Sequence, residues 1–243
     1  MACILNERNT KGCASCKNPC AHNIATSARL TLANVPSKYR GLTIATSPAR
    51  SNQEDTYRTI DRYVATFKRI YDEKSDGIKS LYLFSAETGT GKTTTAASLI
   101  SEYIIADYIG ALKAGKQPQQ CPAYFLDVNE WQTLYNGFNR SNIPTDIAEK
   151  YSRPYYEQME KAKKVPFVVC DDIGLRQASE AFRADLHTII NHRVTNGLPT
   201  VYTSNIPVEE LETVFDRRFY DRVRDKKQTA VIAFKGESQR GVR

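Results

Sequence analysis

The run Ala86-Glu87-Thr88-Gly89-Thr90-Gly91-Lys92-Thr93 sets two glycines, a lysine and a threonine at the spacing of a polyphosphate cradle. Glycines let the backbone turn its N–H groups toward a phosphate, the lysine reaches the β and γ oxygens, and a threonine hydroxyl ligates magnesium. Ala86 stands where the general pattern has glycine, a tolerable change if that residue keeps negative φ. The competing reading is a flexible Gly/Thr turn. A cradle also needs a strand before it and a helix after it. Leu81 to Ser85 is an apolar run, and Ala96, Leu99, Ile100, Tyr103 and Ile104 follow Lys92 at helical period.

A second constellation is Val165-Pro166-Phe167-Val168-Val169-Cys170-Asp171-Asp172, a buried-strand pattern that ends in two carboxylates. Ligands bind at the carboxyl ends of such strands, so Asp171 is placed to hold magnesium through its water shell and Asp172 to orient or deprotonate an attacking water. Paired aspartates at a turn also serve as helix caps. Thr203-Ser204-Asn205 closes a further strand pattern with a polar group that either contacts the γ-phosphate or simply makes the turn before Ile206-Pro207. At the N-terminus Cys13, Cys16, Cys20 and His22 put four soft ligands within ten residues, enough for one tetrahedral zinc, with Cys3 the alternative to His22. An iron–sulfur cluster and free thiols are the competing readings. His187 and His192 have no nucleophile near them in sequence and read as structural.

The elements that must position these groups follow from periodicity. Five apolar or β-branched runs recur: Leu81 to Ser85, Ala123 to Val128, Phe167 to Cys170, Thr200 to Thr203 and Thr229 to Phe234. Helical patterns separate them, including 178 to 196 with Phe182, Leu186, Ile189, Ile190 and Val194, ended by Gly197. Alternating strands and helices imply a parallel sheet with helices on both faces. Upstream, Tyr57, Ile60, Val64, Phe67 and Tyr71 predict an amphipathic helix over 53 to 72. Residues 129 to 164 are too many for a simple crossover. They interleave Trp131, Tyr135, Phe138, Tyr151, Tyr155 and Tyr156 with Arg140, Lys150, Arg153, Lys161, Lys163 and Lys164, which predicts an inserted helix or two.

The chain has 243 residues, 41% hydrophobic and 25% charged, which suits one large α/β domain with a small appendage. No apolar run approaches the roughly 20 residues that span a bilayer, and the first residues lack a secretory pattern, so a cytoplasmic protein without a membrane is expected. The net charge of +7 is concentrated in the flanks around an acidic middle, a footprint either of phosphate backbones or of solubilising tails. Cys121 and Cys170 lie alone in apolar surroundings and read as inert core thiols.

Taken in order, Asn34-Val35-Pro36-Ser37-Lys38-Tyr39, the phosphate loop, Asp171-Asp172-Ile173-Gly174, Ile189-Ile190-Asn191-His192-Arg193, Leu198-Pro199-Thr200, Thr203-Ser204-Asn205 and Arg218-Phe219-Tyr220-Asp221-Arg222 resemble the DnaC/DnaI family of replicative helicase loaders. The likeness covers roughly residues 30 to 243. It implies an AAA+ core with a five-stranded parallel sheet, ATP and Mg2+ bound by Glu87, Thr88, Gly89, Thr90, Gly91, Lys92, Thr93 and Thr94, and slow hydrolysis dependent on DNA or a partner. It further implies Asn205 as sensor 1, Arg222 as an arginine finger with Arg218 its rival, and Arg240 as a sensor 2 equivalent. Too few residues follow Asn205 here for a full helical lid, which weakens the Arg240 assignment. By the same resemblance, residues 1–30 form a zinc module that grips a hexameric helicase, and 31–243 form the ATPase domain. The 129 to 164 element contacts single-stranded DNA, and copies of the chain associate on the helicase. The nearest rival reading is an IstB-type transposition-helper ATPase, which shares the core, and a nucleotide-holding adaptor without turnover is a third reading.

Overall fold

The computed structural model describes residues 20–72, 75–174, 178–214, 217–225, 227–236 and 238. Five strands, β1 (Ser80–Phe84), β2 (Ala123–Asp127), β3 (Phe167–Asp171), β4 (Thr200–Ser204) and β5 (Thr229–Ala233), form one sheet in the order β2-β3-β4-β1-β5. Every pairing is parallel. All five expected runs are strands, displaced by at most one residue at either end.

Alternation along each strand divides the core into two. Leu81, Leu83, Phe125, Phe167, Val169, Val201 and Ile232 face one side, where α2 (Glu54–Ala65) and α3 (Lys92–Lys113) cover them with Tyr57, Ile60, Leu99, Ile100 and Tyr103. Tyr82, Tyr124, Leu126, Val168, Cys170 and Tyr202 face the other. There they meet α4 (Val128–Phe138), α5 (Thr145–Lys164), α6 (Glu180–Thr195) and Val223 of α8 (Arg217–Arg224), with the single-turn α7 (Leu211–Val214) between. Burying each such large apolar side chain contributes about 1.5 to 3 kcal/mol, so this two-sided burial dominates the stability of the sheet. As expected, α6 ends where Gly197 takes φ 63°.

The expected helix over 53 to 72 is α2 followed by a 3-10 segment, Thr66–Tyr71. The Thr66 hydroxyl donates to Tyr63 O at 2.6 Å, competing for a carbonyl the α-helix would use, and the turn tightens. One helix, α1 (Ala21–Leu32), has no counterpart in the sequence reading. It crosses position 30, the expected domain boundary, and packs on α3. Arg29 donates to the carbonyls of Gln119 (2.7 Å), Ala25 (2.9 Å) and Pro118 (3.3 Å).

The 129 to 164 insertion is α4 and α5, the inserted helices the sequence predicts, and its rings turn largely inward. Trp131, Tyr135 and Tyr155 are buried. Trp131 and Tyr155 stack with centroids 4.6 Å apart, Trp131 Nε1 donates to Tyr155 O, and Tyr155 donates to Asp185 at 2.6 Å. Tyr151 lies on Gly137. Lys163 and Lys164 both pair with Glu160 at 2.8 Å. These rings pack protein, so they are not free to stack on bases. Tyr156, 55% exposed, and the exposed Arg140, Lys150, Arg153 and Lys161 are what the insertion presents outward.

Arg193, from α6, is fully buried and ties this layer together. Its guanidinium donates to Thr200 Oγ1 and to the carbonyls of Ala162, Val165, Pro166 and Pro199 at 2.7 to 3.2 Å. Burial lowers its pKa to about 10.

Candidate functional site

The phosphate loop joins the end of β1 to α3, and two of its residues carry positive φ, Gly89 at 75° and Gly91 at 102°. Gly91 is the N-cap of α3 in the left-handed region, and a Cβ there would collide with Ala49. Both facts require glycine. Ala49 is held there because the Tyr57 hydroxyl bridges Ser47 (2.6 Å) and Thr95 (2.8 Å), fastening the segment before α2 to the first turn of α3. Backbone N–H groups and the start of a 22-residue helix thus converge on one place, the arrangement that binds anions. Within the loop Thr90 Oγ1 is buried without a hydrogen-bond partner among the described residues, as expected where a ligand completes the site.

Lys92 is 8% exposed. Its ammonium donates to Ser85 O (3.2 Å), Glu87 O (3.0 Å) and Asn205 Oδ1 (2.6 Å). The loop lysine and Asn205, far apart in sequence, are therefore in direct contact. Both follow carboxyl ends of adjacent strands, since β1 and β4 pair through Phe84 and Ser204.

Asp171 ends β3 and is 5% exposed. Burial pushes its carboxyl up to about 6, against the lowering effect of hydrogen bonds from Thr203 and Thr93, with the charges of Asp127 and Asp172 adding to the rise. Asp127 is its register partner on β2 and caps α4 by accepting from Asn129 N and Glu130 N, each at 3.0 Å. The Thr93 hydroxyl and the Asp171 carboxylate form an oxygen-only donor pair, which fits magnesium completed by water and phosphate oxygens. Asp172 lies just beyond the strand with φ 60°. Its N–H donates to Thr203 Oγ1 at 2.8 Å, and its Oδ2 accepts from Asn129 Nδ2 at 2.7 Å.

The structure therefore gathers Lys92, Thr93, Asp171, Asp172 and Asn205 at one end of the sheet. Arg222 is not among them. It lines a cleft with Val194, Asp221, Asp225 and Gln228, and Gln228 O accepts from Ser80 N at the start of β1. The loop follows the far end of the same strand, and a five-residue strand spans about 17 Å. Arg240, Cys3, Cys13 and Cys16 lie outside the described residues, as does the side chain of Arg218. Cys20 Sγ accepts from Asn23 N at the start of α1, and His22 Nδ1 is 2.8 Å from the Tyr108 hydroxyl. Among the described residues no three His, Cys, Asp or Glu side chains gather as metal ligands. Asn129, Thr203 and Ala49 are site residues to which the sequence reading assigned no role of their own. Thr203 was visible only as part of the Thr203-Ser204-Asn205 run, and the other two acquire meaning only through strand order.

No family model matches the chain. In sequence it is 24% identical over 155 residues to the replicative helicase loader DnaI of Bacillus subtilis, covering 63% of this chain and 42% of that protein. It is 23% identical over 167 residues to the replicative helicase loader DnaC of Escherichia coli K12, covering 64% and 55%. The match spans about half the length of these curated relatives. Among solved structures, that of DnaI aligns with a TM-score of 0.57 at 21% identity, over 84% of this chain and 94% of that one. The DnaC helicase loader aligns at 0.55 and 15%, over 82% and 100%. A replication initiator DnaA bound to AMPPCP and single-stranded DNA aligns at 0.51 and 14%, over 84% and 52%. The resemblance to the DnaC/DnaI loaders is borne out in sequence and structure, and the fold is that of their AAA+ domains.

Proposed function

We propose that the chain binds ATP with magnesium, hydrolyses it slowly, and uses the cycle to load a hexameric replicative helicase onto single-stranded DNA. The convergence of Lys92, Thr93, Asp171, Asp172 and Asn205 supports the ATPase, and likeness to the loaders supports the use to which it is put. Residues 87 to 94 hold the phosphates. Thr93 and Asp171 hold magnesium, which when bound draws charge from the phosphate oxygens. Lys92 exchanges its carbonyl partners for β and γ oxygens, Asn205 keeps the ammonium aimed at them, and Asp172 takes the proton of the attacking water.

Arg222 serves a neighbouring copy, because its position at the opposite end of the sheet keeps it from its own loop. In this reading Cys13, Cys16 and Cys20, with His22 or Cys3, hold zinc in a helicase-gripping segment ahead of the ATPase domain. The hydrogen bond between His22 Nδ1 and the Tyr108 hydroxyl leaves Nε2 to ligate, so His22 and Cys3 both stay open as the fourth ligand. The exposed Arg140 between α4 and α5 and the exposed Lys150, Arg153 and Lys161 of α5, with Tyr156, contribute to DNA binding mainly through phosphate neutralisation.

The contact between Asn129 and Asp172 favours one other reading, an adaptor that retains nucleotide without turnover, since the carboxylate is engaged. Calorimetry and phosphate release separate these. Lys92→Ala abolishes tight ATP binding, whereas Asp172→Asn keeps it and loses hydrolysis. Equal ATP affinity in Lys92→Ala and wild type overturns the assignment of the loop. Absence of phosphate release with helicase and DNA both present favours the adaptor.

A further inference from the structure

The β3–β4 ladder runs only from Val168↔Thr200 to Cys170↔Tyr202. At the next step β3 parts from β4: Asp171, its last residue, stays in register with Asp127 of β2, and Asp172 has turned into the left-handed region. Three consecutive residues there are nevertheless held by one residue of β4. Thr203 Oγ1 donates to Asp171 Oδ1 at 2.7 Å, the same oxygen accepts from Asp172 N at 2.8 Å, and Thr203 O accepts from Ile173 N at 3.0 Å. Thr203 is 1% and Asp171 5% exposed, so the Asp171 oxygen bonded to the hydroxyl has no water as a ready substitute.

We propose that Thr203 is a positioning residue, whose hydroxyl replaces the missing ladder step and sets the two aspartates at divergent angles, Asp171 toward the Thr93 hydroxyl and Asp172 toward Asn129. A left-handed aspartate is a conformation that persists only where its surroundings hold it. The hydroxyl holds the Asp172 N–H and the Asp171 carboxylate at once, and because it both donates and accepts, it fixes the two residues relative to each other. Thr203 also stands two residues before Asn205, which follows the end of β4, so the two carboxylates and the asparagine that meets Lys92 are held at one strand end. The inference deepens the proposed ATPase reading and rests on it for its catalytic consequence, though its geometric claim stands apart.

The test uses the full chain. Thr203→Val keeps the shape and loses the hydroxyl, and Thr203→Ser restores the hydroxyl without the methyl. In wild type, amide exchange resolved by NMR shows Asp172 as protected as the ladder residues Val169 and Cys170, though it lies outside the ladder. Thr203→Val loses that protection and Thr203→Ser keeps it. Mn2+ titrated into the ADP-bound protein binds about tenfold more weakly in the valine variant and within about twofold of wild type in the serine variant. ADP affinity without metal is unchanged in both. Turnover falls at least tenfold in valine, with KM for ATP little altered, and recovers in serine.

Fast exchange at Asp172 in wild type overturns the proposal even if the valine variant does not fold. So does a serine variant as impaired as valine, which makes the methyl the cause, or a valine variant equal to wild type in exchange and Mn2+ affinity. If wild type binds no nucleotide, the ATPase reading fails while the exchange measurement still decides the clamp.

Discussion

Asp171 is a carboxylate kept in a place that disfavours its charge. Its folded pKa of about 6 lies above the usual value near 3.9, so the folded state holds the proton more tightly than the unfolded chain does. Stability of the metal-free protein therefore falls as pH rises from about 4 to about 6, and the deficit persists above that, roughly 2 to 3 kcal/mol. Asp171→Asn accordingly melts higher than wild type at pH 7 without nucleotide or metal, while the two converge near pH 4; magnesium with ADP stabilises only wild type. Thermal denaturation across pH checks this, and a variant that melts lower at pH 7 contradicts it. Asn129 acts on the neighbouring carboxylate, since its amide occupies the Asp172 oxygen a water would use. Asn129→Ala raises basal phosphate release several-fold and leaves ATP affinity unchanged; a fall in the basal rate shows instead that the amide aims the base. Lys92, Thr93, Asp171, Asp172 and Asn205 were all legible in the sequence, because cradle chemistry restricts residue types at fixed spacing. Asn129 and Thr203 were not, since an asparagine after one strand and a threonine in another acquire their roles from register, which local pattern does not encode.

Among the elements, the strands and the inserted helices were legible in the sequence, and the part played by the insertion's rings was not, for one physical reason. Strands buried on both faces are continuous apolar runs, a signal with few other sources. Aromatic rings interleaved with lysines arise equally from a nucleic-acid surface and from an amphipathic helix pair whose rings stack inward, as Trp131 and Tyr155 do. Helix α1 escaped notice because a cysteine caps it and Ile24 and Leu32, among its large apolar residues, face outward. What the insertion needed, and gained, was an anchor: Arg193 meets the carbonyls at the end of α5 and at the entries to β3 and β4. Removing one side of a buried charged network leaves its partners unsatisfied and costs about 3 to 5 kcal/mol. Arg193→Met loses stability of that order in urea denaturation, and Arg193→Lys does not restore it, because an ammonium cannot span so many acceptors. A loss below about 1 kcal/mol for methionine means the carbonyls find other donors.

At the scale of the whole molecule, Arg222 and the phosphate loop occupy opposite ends of the sheet. If the guanidinium serves a neighbour, mixing Arg222→Ala with Lys92→Ala restores turnover that neither has alone, since one supplies an intact loop and the other an intact arginine. Turnover per chain in wild type then rises with concentration or with helicase. No recovery on mixing, over a range where the chains associate, returns Arg222 to a structural part in α8.

The strand order carries a consequence for how the chain comes to be folded. β1, the earliest strand, lies between β4 and β5, the two latest. During synthesis β1 must wait, unpaired on either edge, while well over a hundred residues emerge, and β2 and β3 can only join each other in the meantime. Closing such distant contacts is slow, and exposed apolar edges are what chaperones shield. The loop that follows β1 thus gains its second wall only when Asn205 has left the ribosome, so a nascent chain is unable to grip nucleotide until its sheet is nearly whole.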